Sequence, residues 1–138
     1  TECTADAATV DDVAAVPGRL VDVKGRAMVP GEPEFGVSEH VATVLLAARE
    51  AGADVRGAVN LRYDPETVET LAADYPTVEF DAERPTREAV ADAIAAADLP
   101  DDADAVVCYQ TGAVGIEPIV YVLAPTASEA AAIVREIV

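Results

Sequence analysis

Apolar side chains recur at Val41, Val44, Leu45 and Ala48, the i, i+3, i+4, i+7 spacing that lines one face of a helix. Ser38 stands where an N-cap belongs and Gly52 where a C-terminal cap belongs, so the pattern predicts a helix from Ser38 to Ala51. Arg56 to Arg62 reads as a strand. Asp64-Pro65 opens the next helix, with proline at its first position, and that helix runs to about Asp74 before Pro76. Thr77 to Phe80 is a strand, Pro85 to Ala97 an alanine-rich helix, and Leu99 to Asp104 an acidic loop. Ala105 to Gln110 is a buried strand, Thr111 to Pro118 a glycine-containing loop, and Ile119 to Ala124 another strand. Thr126 and Glu129 form a capping box for a last helix that reaches Val138.

The amino-terminal part is less regular. Thr9 to Ala15 predicts a short helix, broken by Pro17-Gly18. Arg19 to Val29 alternates as two strands turning at Lys24-Gly25, and Pro30-Gly31-Glu32-Pro33 is a loop. Strands and helices alternate from Ser38 onward, which predicts a layered α/β domain with a mixed sheet. The strand order does not follow from the pattern. The chain of 138 residues fits one domain spanning 1–138 and buries enough surface for a core.

Charge changes the picture most. There are 26 Asp and Glu against 9 Lys and Arg, a net charge of -17, and Lys24 is the single lysine. Such a surface repels itself unless salt screens it. The expectation is a protein of a high-salt cytoplasm, against the plainer reading of an ordinary acidic protein. Scattered cations argue against direct contact with nucleic acid, which needs clustered Lys and Arg. No apolar run approaches the ~20 residues of a membrane span. Cys108 lies in an apolar run as a buried thiol and Cys3 near a terminus expected to fray. Neither a disulfide, a metal site nor a cofactor is implied.

Three segments carry candidate chemistry. In Phe35-Gly36-Val37-Ser38-Glu39-His40, a glycine beside a helix start exposes backbone N–H groups to an anion, and Ser38 adds a hydroxyl. The plainer reading is a glycine turn and a serine cap. His40 is the single histidine and fits a structural place better than a catalytic one. Asn60-Leu61-Arg62-Tyr63 ends a strand, where ligands of α/β sheets gather. Arg62 suits a phosphate, Asn60 a heterocycle edge and Tyr63 a ring or cation. Against this, Arg62 has many surface carboxylates that can hold it. In Thr111–Pro118, Gly112 and Gly115 allow close backbone approach and Glu117 offers an acceptor. The spacing is not that of a phosphate-binding glycine motif.

Four stretches occur together and in order: DDVAAVPGRL (11–20), EFGVSEHVA (34–42), AVNLRY (58–63) and GAVGIEPIVYV (112–122). In these the chain resembles the ThiN-type thiamine-phosphate synthase domain of archaea. The resemblance implies a three-layer α/β/α fold with a mixed sheet, like the class II aldolase architecture, and a site for thiamine phosphate or its precursors. The family has a catalytic form, which joins a pyrimidine diphosphate to a thiazole phosphate and releases pyrophosphate. It also has a regulatory form, fused behind a helix-turn-helix domain. The catalytic form has a longer polar segment than residues 81–104 provide here, with an Arg and a His viewed as catalytic. It also has a lysine before Glu-Pro.

These departures set the expectation of a sensor: the effector-binding domain of a thiamine-pathway transcriptional regulator from a halophilic archaeon. On that reading the domain is homodimeric, non-catalytic and preceded by a DNA-binding domain, since the chain opens on Thr1. Its phosphate would lie at Gly36 and Ser38 with Arg62 close by, and Tyr63 or Phe35 would touch a ring. The rivals are an active synthase using the same pocket, and a binding module for another phosphorylated metabolite.

Overall fold

The computed structural model describes residues 1–15, 21–23, 26–28, 34–36, 39–100 and 103–137. Nine strands and four α-helices are placed among them: β1 (Glu2–Cys3), β2 (Val13–Ala15), β3 (Val21–Val23), β4 (Arg26–Met28), β5 (Glu34–Phe35), α1 (Glu39–Glu50), β6 (Gly57–Arg62), α2 (Pro65–Asp74), β7 (Thr77–Glu79), α3 (Thr86–Ala97), β8 (Val106–Gln110), β9 (Ile119–Ala124) and α4 (Ala127–Ile137). Seven strands form one sheet in the order β5-β2-β1-β6-β9-β8-β7, and β3 pairs with β4 as a separate hairpin. The sheet is mixed: β7 and β8 run parallel, and the other neighbours run antiparallel.

Side-chain alternation sorts this sheet into two buried faces. Val41, Val44, Leu45 and Ala48 of α1, with Ala89, Val90 and Ile94 of α3, pack on Cys3, Ala58, Val78, Val106, Cys108, Tyr121 and Leu123. Leu71 of α2 and Ala130 of α4 pack on Val107, Val120, Val122 and Ala124 from the other side. The architecture is therefore three-layer α/β/α, as expected. The apolar stripe of α1 is buried at each of the four positions that predicted it.

Local chemistry sets the element ends. Gly52 adopts φ 100 after α1, and the Ala53 N–H returns to the Ala48 carbonyl at 3.0 Å, an ending that needs a left-handed residue. Asp64 caps α2 by accepting from the Glu66 N–H at 2.9 Å. Thr126 caps α4 by accepting from the Glu129 N–H at 3.1 Å.

Two amino-terminal expectations are corrected. Thr9 to Ala15 is not one helix: a 3-10 turn at Val10–Asp12 leads straight into β2. The Asp12 carboxylate accepts from the N–H groups of Ala8 and Thr9 at 3.0 and 3.1 Å, closing a tight turn, and Val13 then pairs with Cys3. Cys3 is not frayed. It lies in β1, between β2 and β6, and is buried. The predicted turn at Lys24-Gly25, the loop at 30–33 and the cap at Ser38 lie outside the described residues. Among the described residues no helix is long and apolar enough to cross a membrane.

Candidate functional site

Strand register defines one working edge. Arg62 at the end of β6 stands opposite Ile119, and Ile119 opposite Gln110 at the end of β8. Glu79 at the end of β7 stands opposite Tyr109. The carboxyl ends of β6, β8 and β7 thus share an edge, the usual place for a ligand in an open α/β sheet.

Alternation along β6 puts Ala58, Asn60 and Arg62 on the face that carries α1 and α3. Ala58 is buried there, but Asn60 and Arg62 are exposed, so the carboxyl half of this face is left open. Among the described residues Arg62 forms no ion pair or hydrogen bond, although carboxylates abound. The expectation that one of them holds it is not met. Four other described arginines are engaged: Arg49 donates to the carbonyls of Val55 and Ala5 at 2.9 and 2.6 Å, Arg56 to the Cys3 carbonyl at 3.2 Å, Arg84 pairs with Asp92 at 2.7 Å, and Arg87 pairs with Glu50, whereas the exposed Arg135 of α4, like Arg62, has no such contact among the described residues.

The loop after β8 is held from beneath. The Gln110 side chain is 6% exposed. Its Nε2 donates to the Glu117 carbonyl at 2.6 Å and its Oε1 accepts from the Gly112 N–H at 2.5 Å. Ala113 and Ile116 exchange both backbone hydrogen bonds, at 3.1 and 2.9 Å. Gly112 and Gly115 take φ 90 and 75 in this turn. A Cβ on Gly112 would stand 3.0 Å from the Ile116 carbonyl oxygen. Beside this loop an open depression of about 600 Å³ is lined by Glu79, Phe80, Asp81, Glu83, Thr111 and Gly112, among others.

The family model for thiamine-phosphate synthase ThiN matches residues 1–136. The chain belongs to the ThiN family. It is 32% identical over 134 residues to thiamine-phosphate synthase ThiN of Methanothermobacter thermautotrophicus, covering 88% of this chain and 68% of that protein. It is 35% identical over 71 residues to the bifunctional thiamine biosynthesis protein ThiDN of Methanocaldococcus jannaschii, covering 51% of this chain and 17% of that one. In structure it is similar to the C-terminal domain of protein MJ0236, with a TM-score of 0.83, 28% identity and coverage of 96% and 75%. It also shares the fold of the C-terminal domain of phosphomethylpyrimidine kinase, with a TM-score of 0.81, 24% identity and coverage of 99% and 82%.

These matches correct the sensor expectation. The matched relatives are named as biosynthetic proteins, a synthase and a bifunctional protein, and nothing among them supports transcription regulation. The short 81–104 segment had carried that expectation, yet the ThiN match runs through it. Its two cations, Arg84 and Arg87, brace α3 through Asp92 and Glu50.

The ThiN domain does not gather every expected residue. Asn60, Arg62, Gly112, Gly115 and Glu117 lie at the carboxyl edge. Phe35 and Gly36 are elsewhere: Phe35 pairs with Ala14, Ala14 with Glu2, and Glu2 with Gly57, the first residue of β6. Five residues of strand separate that level from Arg62, and three strand spacings are added sideways, which makes roughly 20 Å. The Gly36 N–H is already bonded to the Val13 carbonyl at 3.1 Å, and Asp11 Oδ1 would lie 3.0 Å from a Cβ there. Gly36 therefore turns the chain at φ 76 beside a carboxylate, an arrangement unsuited to an anion. His40 is exposed in the first turn of α1. Ser38 is outside the described residues.

Tyr63 stacks on Tyr109 with ring centroids 6.1 Å apart, packed against the α2 and α4 cluster. Its ring is thus turned from the face that carries Arg62. Gln110, Phe80 and Tyr121 belong to the edge and were not singled out in the sequence. They read as ordinary strand residues until register places them on the same edge of the sheet as Arg62 or on the strands that lead to it.

Proposed function

We propose that this chain is a thiamine-phosphate synthase domain, which joins hydroxymethylpyrimidine diphosphate to thiazole phosphate and releases pyrophosphate in a high-salt cytoplasm. The observation that carries the reading is Arg62: an exposed guanidinium with no partner among the described residues, at the carboxyl edge of the sheet in a chain of the ThiN family. Arg135 is also without a partner among the described residues but lies on the last helix, whereas Arg62 ends a strand of the sheet, and a phosphate oxyanion is the partner its planar fork fits.

The other residues divide the remaining work. Asn60, on the same face, offers one donor pair and one acceptor to the edge of an aminopyrimidine. Glu79, Asp81 and Glu83 around the depression suit the positive charge of a thiazolium ring. The loop of Gly112 and Gly115, anchored by Gln110, lets backbone approach closely without a side chain in the way. Departure of pyrophosphate builds negative charge on its oxygens, and Arg62 stabilises that charge better in the transition state than in the ground state.

The test is a turnover assay in molar salt with both substrates, following thiamine phosphate and pyrophosphate together. The wild-type domain forms the two products in equal amounts. Arg62→Ala lowers kcat/KM by about a hundredfold, the scale of one lost charge-assisted contact in a transition state. Absence of product from the wild-type chain, or full activity in Arg62→Ala, rejects the reading.

A further inference from the structure

Among the described residues, Gln110 is the single buried polar side chain. The residues before it on β8 are apolar or aromatic: Val106, Val107, Cys108 and Tyr109. A leucine would fill the same space without the cost of burying an amide, so the sheet itself does not call for glutamine here. The loop does. The Gly112 N–H can only donate and the Glu117 carbonyl can only accept, which orients the amide without ambiguity, Oε1 towards Gly112 and Nε2 towards Glu117. One side chain thereby closes the loop at both ends, and the paired bonds of Ala113 and Ile116 stiffen its tip.

This clamp sits at the level of Arg62. Gln110 stands opposite Ile119, and Ile119 opposite Arg62. The two side chains therefore leave the same face two strand spacings apart, roughly 10 Å. The clamped loop supplies Thr111, Gly112, Ala113 and Val114 to one wall of the depression, and residues 79–83 supply the other. A wall carried by a loop is loose unless its own supports are locked by packing and hydrogen bonds. Gln110 has both.

We propose that Gln110 is a positioning residue of this site. It does not touch the ligand; its amide holds the 111–114 wall in the place from which that wall meets a ligand lying against residues 79–83. The inference rests on the reading that this edge takes the synthase substrates.

The test compares the wild type with Gln110→Leu and Gln110→Glu from about pH 5 to pH 8 in molar salt. The temperature is one at which circular dichroism shows all three fully folded. Two quantities are read: kcat/KM with the two synthase substrates, and the Kd for thiamine monophosphate by calorimetry. Each is taken as a ratio to the wild type at the same pH, which cancels ionisation of the substrates. Gln110→Leu loses roughly tenfold or more in both at every pH, the scale of a wall out of place. In Gln110→Glu the protonated carboxyl accepts from the Gly112 N–H and donates to the Glu117 carbonyl, as the amide does. The ionised form has no donor and sets a negative oxygen against that carbonyl, and burial also opposes the charge. Gln110→Glu therefore matches the wild type at low pH and falls towards the leucine variant as pH rises. A purely structural role lowers the thermal midpoint and leaves both quantities unchanged in the folded protein. That result, or a Gln110→Glu that stays at the leucine level at pH 5, overturns the proposal. A wild type without turnover that binds thiamine monophosphate in the expected pattern rejects the synthase reading and upholds Gln110. An active wild type matched by Gln110→Leu does the reverse. A wild type with neither turnover nor binding overturns both.

Discussion

Gly57 has less room than any other glycine for which a Cβ has a described neighbour. A Cβ there would stand 2.1 Å from the Ala127 nitrogen and 2.1 Å from the Thr126 carbonyl carbon, so the start of β6 lies directly against the start of α4. Backbone atoms cannot swing aside as a flexible side chain does, and the strand or the helix must move. Gly57→Ala is expected to cost roughly 3 kcal/mol, the upper end of ordinary overpacking. Gly115 provides the contrast, with φ 75 and nothing within 4 Å of its Cβ. Gly115→Ala pays only the left-handed backbone penalty of about 1 kcal/mol. Urea unfolding of the two variants beside the wild type checks the order, and equal losses would mean that the approach at Gly57 is not the constraint. Single residues also show what spacing conceals. Gly36 and Gly112 look alike as glycines near candidate chemistry. Both have their N–H groups bonded, to the Val13 carbonyl and to Gln110 Oε1, but Gly36 lies beside the Asp11 carboxylate, far from Arg62, whereas Gly112 belongs to a loop on the carboxyl edge of the sheet.

At the scale of elements, the loop between β8 and β9 is the piece whose order depends on one side chain. Gln110 is buried and holds both ends of the loop, Gly112 by its Oε1 and Glu117 by its Nε2. Gln110→Leu keeps the volume and removes both bonds. About 2 kcal/mol of loop stability is expected to go with them, near 1 for each bond. Amide exchange at Gly112 and Ile116 is then expected to quicken by tenfold or more, while that of β9 stays as it was. Uniform quickening across the sheet would show that Gln110 supports the whole fold rather than the loop. The long elements were legible in the sequence because period and punctuation agree: α1 by its apolar stripe, α2 by Asp64-Pro65, α4 by Thr126 and Glu129. The strands β1 and β5 have two residues each, too few for a period of two to appear, and Thr9–Ala15 misled because its first residues do form a tight turn. Arg62 and Asn60 were legible because they end a strand. Gln110 was not, because its meaning lies in which strand stands beside β9, and pairing is a long-range property that composition does not encode.

For the whole molecule the governing quantity is the net charge of -17 over 138 residues. The described ion pairs, Arg84 with Asp92 and Arg87 with Glu50, are both surface contacts, which contribute little individually. Most of the charge is therefore uncompensated repulsion, and folding brings it closer together than the unfolded chain does. Screening should relieve it. Between 0.1 and 1 M salt the Debye length falls from about 10 to about 3 Å, so the thermal midpoint is expected to rise by several degrees or more. The shape of the rise separates two causes. Screening depends on ionic strength and saturates, so sodium chloride and sodium sulfate at matched ionic strength should superimpose, with most of the gain complete by 1 M. Exclusion of salt from the protein surface continues to rise with concentration and is stronger for sulfate. Thermal unfolding in both salts decides between them. Superimposed, saturating curves assign the stabilisation by salt to the acidic surface. Curves that keep climbing, sulfate above chloride, assign it to burial of the small Ala- and Val-rich core, and the repulsion argument falls.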